Sequence, residues 1–128
     1  EQRFSCSDCR AGLVDFVVQD GQVVALAARD RKIVYFNNDG SLAHEFDLGD
    51  EVDFPVSLAI GPSGFAYVLD RHQNSVLAYD EQGVFRYRFL GNGQSAGRVY
   101  FARHLRFDPW GNLCVVDEGN GRVEIFSR

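Results

Sequence analysis

Methionine is absent from these 128 residues, cysteine and proline occur three times each, and tryptophan once. Without methionine the chain does not begin at a start codon, so it is expected to be a processed product or a piece of something longer. No charged-then-apolar targeting segment precedes Glu1, but cleavage would have removed one. No run approaches the roughly 18 consecutive apolar residues of a membrane span. Basic residues are the minority: 13 Lys and Arg against 18 Asp and Glu leave a net charge of −5. That balance argues against a DNA-binding face. With 45% apolar residues and few prolines, the composition is globular and excludes a collagenous or disordered chain. A nucleophile elbow, a P-loop and a dinucleotide fingerprint are all missing, so no catalytic residue and no cofactor is assigned. No stretch holds a helical period with caps.

What the sequence does have is repetition. GFAYVLDRHQNSVLAYDEQG, from Gly64, aligns without a gap on GNLCVVDEGNGRVEIFSR, from Gly111. Asp70 falls on Asp117, Val76 on Val123, and Tyr79 on Phe126. GQVVALAARDRKIVYFNNDG, from Gly21, joins the series with Ile33 on Val76, Phe36 on Tyr79, and Ala27 in place of the aspartate. The match extends backwards: Leu58 and Ile60 correspond to Leu105 and Phe107, with Val17 at the place of Ile60. The glycine-to-glycine steps are 43 and 47 residues.

Each repeat holds short runs of Val, Ile, Leu, Tyr and Phe between turn signals. In the middle repeat they fall at 56–60, 66–69, 75–79 and 84–89, separated by GPSG and DEQG among others. A period near 40–50 residues built from short strands marks a β-propeller, each repeat being one four-stranded antiparallel blade. The predicted fold is therefore all-β. Residues 11–46 form blade 1, 54–90 blade 2, and 101–128 blade 3 without its outer strand. Residues 1–10 supply an orphan outer strand and a linker. Phe36, Tyr79 and Phe126 are expected to pack between blades.

FPVSLAIGPSGFAYVLDRHQNSVLAYDEQG and FARHLRFDPWGNLCVVDEGNGRVEIF resemble NHL repeats: an apolar start, a Gly turn, an aspartate closing the second strand, then a polar loop and V-x-x-Y/F. The resemblance covers nearly the whole chain, although the first repeat lacks the aspartate and the proline. It implies a propeller, commonly of six blades, whose relatives include binding modules, RNA-binding domains and peptide-amidating lyases. About three blades do not close a ring. Either two chains pair as half-rings, residues 1–4 of each completing the other's third blade, or the remaining blades belong to a longer chain.

Strand alternation sends the loops 6–12, 28–32, 47–53, 70–75, 90–100 and 117–122 to one end, which is the predicted binding face. Arg29, Arg71, His72, His104 and Arg122 are the candidate ligand-binding residues there. The expected function is an interaction module for a protein, peptide or saccharide. The alternatives are a metal-dependent lyase or hydrolase with its site in the central channel, and an RNA-binding domain. No metal ligands are assigned, because His44, His72 and His104 stand at no ligand spacing. Asp70 and Asp117 are expected to cap the loops that follow them. Cys6-Ser7-Asp8-Cys9 is open to three readings: a redox pair, half a zinc site, or a local disulfide in an exported, extracytoplasmic protein. Cys114 is expected to be a buried small hydrophobe, His44 to be solvated, and Trp110 to pack on the next blade. Asp47, Asp50, Glu51 and Asp53 make one inter-blade segment acidic. Arg98, Arg103 and Arg106 make the next one basic.

Overall fold

The computed structural model describes residues 3–6, 9, 12–89 and 102–126. They form eleven strands and one 3-10 turn, Gly49–Glu51. The first sheet holds β1 (Asp15–Gln19), β2 (Gln22–Ala27), β3 (Lys32–Phe36) and β4 (Leu42–Asp47). The second holds β5 (Pro55–Ile60), β6 (Ala66–Asp70), β7 (Ser75–Tyr79) and β8 (Phe85–Phe89). The third holds β9 (Ala102–Phe107), β10 (Leu113–Asp117) and β11 (Arg122–Phe126). All pairings are antiparallel between strands consecutive in the chain, as in propeller blades. Residues 1, 2 and 90–101 lie outside the described set, and with them Arg98 and half of the predicted orphan strand.

The strands form where β-branched and aromatic residues cluster, and the turns repeat one device. At residues 61–65, 80–84 and 108–112 the first N–H reaches the fifth carbonyl, while a glycine at the fourth place turns back to the first carbonyl. Gly83 holds φ +84°, and a Cβ there would stand 2.5 Å from the Phe46 ring, so this turn tolerates no side chain. Asp80 and Asp108 open two of these turns, each Oδ1 accepting two backbone N–H groups. Those bonds hold both carboxyls below the ordinary value, led by the N–H of Val84 for Asp80 and of Asn112 for Asp108.

The first hairpin departs from this pattern, and it corrects the alignment. Gln19 pairs with Gln22 across Asp20 and Gly21, both at positive φ, which is a two-residue hairpin turn. The other two repeats use a longer turn, Ile60 pairing with Ala66 and Phe107 with Leu113. Strand β1 is therefore one residue out of step with its glycine. Phe16, Leu58 and Leu105 are the true equivalents, paired with Ala25, Val68 and Val115. Val18, not Val17, holds the place of Ile60.

The sheets stack face to face in chain order. Val24, Leu26 and Ile33 meet Leu58, Val68 and Leu77 between the first two sheets. Ala59, Leu69 and Val76 meet Leu105, Leu113 and Val115 between the second and third. An aromatic residue from the end of one unit also caps the third strand of the next. Phe46 lies on Tyr79 and Phe89 on Phe126, at 6.1 and 5.9 Å between centroids. Phe4 lies on Phe36 in the same manner, at 5.7 Å. Residues 3–6 form no strand, yet Phe4 stands where a fourth-strand aromatic belongs. The hydroxyl of the buried Tyr79 donates to the Leu48 carbonyl at 2.7 Å. Burial first, and then the Glu51 carboxylate, push its pKa up.

Candidate functional site

Two groups of polar residues occupy the inner strands and the loop end. At the loop end Asp70 is fully buried and accepts from the backbone N–H groups of His72, Gln73 and Asp53. It caps its loop and ties it to the preceding inter-sheet segment, as expected. Asp117 is likewise buried, with Asn120 donating to Oδ2 at 2.8 Å and Arg122 3.6 Å from the same oxygen.

Of the predicted ligand-binding residues, Arg71 and His104 share a cleft between the second and third sheets. Its volume is about 140 Å³, and Val56, Ala102 and Arg103 complete its lining. His104 and Arg122 share a shallower hollow at the open side of the third sheet. His72 packs on Phe54, 4.7 Å between ring centroids. Arg29 is exposed in the turn after β2, in the first sheet, and lines neither hollow. Arg103 is expected from the sequence in a basic inter-blade segment, as ordinary surface or as charge that steers a partner. It stands in β9 and pairs with Glu118 at 2.8 Å.

Sequence reasoning missed the inner-strand group. Asp15 on β1 accepts from the Ser57 hydroxyl at 2.8 Å and from the Leu58 N–H at 2.9 Å. Ser57 in turn accepts from the Leu105 N–H at 3.0 Å, and the Arg106 guanidinium reaches both Asp15 oxygens at 3.3 Å. Three inner strands from three sheets thus meet at one carboxylate. By pairing register Asp15, Ser57 and His104 are equivalent, opposite Leu26, Leu69 and Val116. The Asp-Gly turn was the available signal, because it implies the one-residue shift that puts Asp15 at this position.

Other expectations resolve as follows. Cys6 and Cys9 form a disulfide. Cys114 is a free thiol and half-buried rather than buried. His44 is exposed but stacked flat on Tyr35 at 4.2 Å. Trp110 does not pack on a neighbouring sheet: it is 78% exposed at the tip of its turn. Turn chemistry accounts for this, since the Trp110 N–H serves Asp108 and the side chain is left facing outward. Among the described residues no three His, Cys, Asp or Glu side chains are grouped to hold a metal ion, and no helix is long and apolar enough to cross a membrane.

Radially stacked, consecutively paired antiparallel sheets of this kind define a β-propeller fold. Comparison with solved structures agrees. A catalytically inactive virginiamycin B lyase from Staphylococcus aureus, solved with quinupristin, superposes with a TM-score of 0.71 at 15% identity. The match covers 97% of this chain and 41% of that one. A streptogramin B lyase gives 0.70 at 13% identity, covering 98% and 43%. The glutaminyl cyclase of Myxococcus xanthus gives 0.65 at 13% identity, covering 98% and 59%. The chain therefore spans less than two thirds of the length of each of these propeller proteins. No protein-family model matches the chain, and no curated protein matches its sequence.

Proposed function

We propose that the chain is an NHL-type propeller interaction module that binds an acidic segment of a protein or peptide at its loop end. The observation that carries this reading is the cleft shared by Arg71, Arg103 and His104, where cationic and imidazole groups from two sheets border one concavity. A carboxylate entering it competes with Glu118 for Arg103, so binding is modest and weakens with salt. The repeat pattern G-x-x-Y-V-x-D in the middle unit supports the NHL assignment. Propellers carry many unrelated activities, so the site and not the fold has to decide.

The test is a titration of the amide spectrum with two heptapeptides, one rich in Glu and one rich in Lys. The acidic peptide shifts Arg71, Arg103 and His104, and Arg71→Ala weakens it by about tenfold, or about 1.4 kcal/mol. A spectrum unmoved by either peptide, or moved only around Trp110, overturns the reading.

A further inference from the structure

The first sheet is covered by a different device from the other two. On Tyr79 and Phe126 the covering aromatics are Phe46 and Phe89, which stand in β4 and β8 and are held by antiparallel pairing to β3 and β7. On Phe36 the covering aromatic is Phe4, and residues 3–6 are in no strand. Side chains seat this segment instead. Cys9 is buried among Ala25, Ala27, Val34 and Phe36, with Phe4 and Cys6 packed against the same cluster. The disulfide ties that buried anchor to the half-buried Cys6, two places from Phe4. Bonds from the Cys9 N–H to the Cys6 carbonyl and from the Gly12 N–H to the Cys9 carbonyl turn the segment on itself. Phe4 also walls one side of an apolar hollow of about 670 Å³, whose lining includes Val14, Phe16, Val18 and Val23.

We propose that the Cys6–Cys9 disulfide is a redox latch, which a dithiol opens to bare this face of the first sheet and widen the hollow. A thiolate of the dithiol attacks the sulfur of Cys6, the more exposed of the two residues, and the Cys6–Cys9 bond breaks. The electron pair leaves on the Cys9 sulfur, which takes a proton from solvent. The second thiol of the reductant then displaces Cys6, which is protonated in turn. Two electrons and two protons have passed to the chain, and the reductant ends as a cyclic disulfide. Phe4 is then held to Phe36 by its own packing rather than through Cys9, against the regained freedom of the released backbone.

The test is reduction of the full chain with dithiothreitol, followed by methyl and aromatic spectra and by titration with anilinonaphthalene sulfonate. Thiols trapped after quenching should rise from one, Cys114, to three. The Phe4–Phe36 ring contact should be lost and the Val34 methyl signals should move, while the second and third sheets stay unchanged. Affinity for the dye should rise by about tenfold. Reoxidation should restore the first spectrum. A chain with both Cys6→Ala and Cys9→Ala should show the opened spectrum with or without the dithiol. The proposal is overturned by a reduced chain that keeps the Phe4–Phe36 contact or its dye affinity, or by a doubly substituted chain with the closed spectrum. Loss of all three sheets on reduction or substitution also overturns it, as does a disulfide that the dithiol reaches only in denaturant.

Discussion

The second and third sheets carry the same repeat and meet different surroundings. Val76 and Ala78 on β7 are fully buried, whereas their equivalents Val123 and Ile125 on β11 are 58% and 62% exposed. Strand β7 has a sheet on each side; among the described residues β11 has one on one side only. The difference shows that apolar patterning in a repeat records the junction a position is built for, not the burial it has in a single chain. Isolated exposed hydrophobics need no explanation, but a whole strand face of them does.

The largest expected effect tests that contrast. Leu69→Ala should destabilise the chain by about 2–5 kcal/mol, because it removes buried methyl groups between two sheets. The equivalent Val116→Ala should change the stability of a single copy by no more than about 0.5 kcal/mol. Urea titrations of both variants measure the gap, and equal losses would break the comparison. Next comes Asp70→Ala, which strands three backbone donors and should cost about 1–3 kcal/mol. Its midpoint should fall with the slope unchanged. Gly83→Ala follows, at about 1 kcal/mol or more, because the methyl group meets Phe46 and the backbone is left-handed.

Acid should affect the second and third sheets alike. The folded Asp80 and Asp108 carboxyls lie below the ordinary value of 3.8. Their contribution is therefore complete above that value and disappears as pH falls through the folded ones. Replacing both by Asn should flatten the stability profile below about pH 4, as read by melting temperature. At the other extreme, the raised Tyr79 pKa makes stability present below the ordinary value of 10 decline above it, and Tyr79→Phe should remove part of that decline. The smallest effect is that of Trp110→Ala, within about 0.5 kcal/mol, because the side chain is 78% exposed.

Much of the fold was legible because each unit announces itself locally. The predicted strand 75–79 coincides with Ser75–Tyr79, and the buried Asp70 caps its loop as its position implied. The register of β1 was not legible from a gapless alignment. The glycine is not a fixed point, because the turn in front of it is one residue shorter in the first repeat. Asp15 was hidden for the same reason: only the true register places it beside Ser57. The loop end was readable as a place but not as a grouping. Sequence put five residues on one end, and only the stacking of the second sheet on the third selects Arg71 and His104 for one cleft.

The Asp15 carboxylate has a consequence for how the array comes apart. In most repeat proteins each unit touches only its neighbours, so an end unit can fray without disturbing the unit two places away. Here Arg106 of the third sheet contacts Asp15 of the first across 91 residues. That contact spans the middle sheet altogether. Fraying of the third sheet therefore also removes a contact of the first, a modest coupling because the Arg106 side chain is half-exposed.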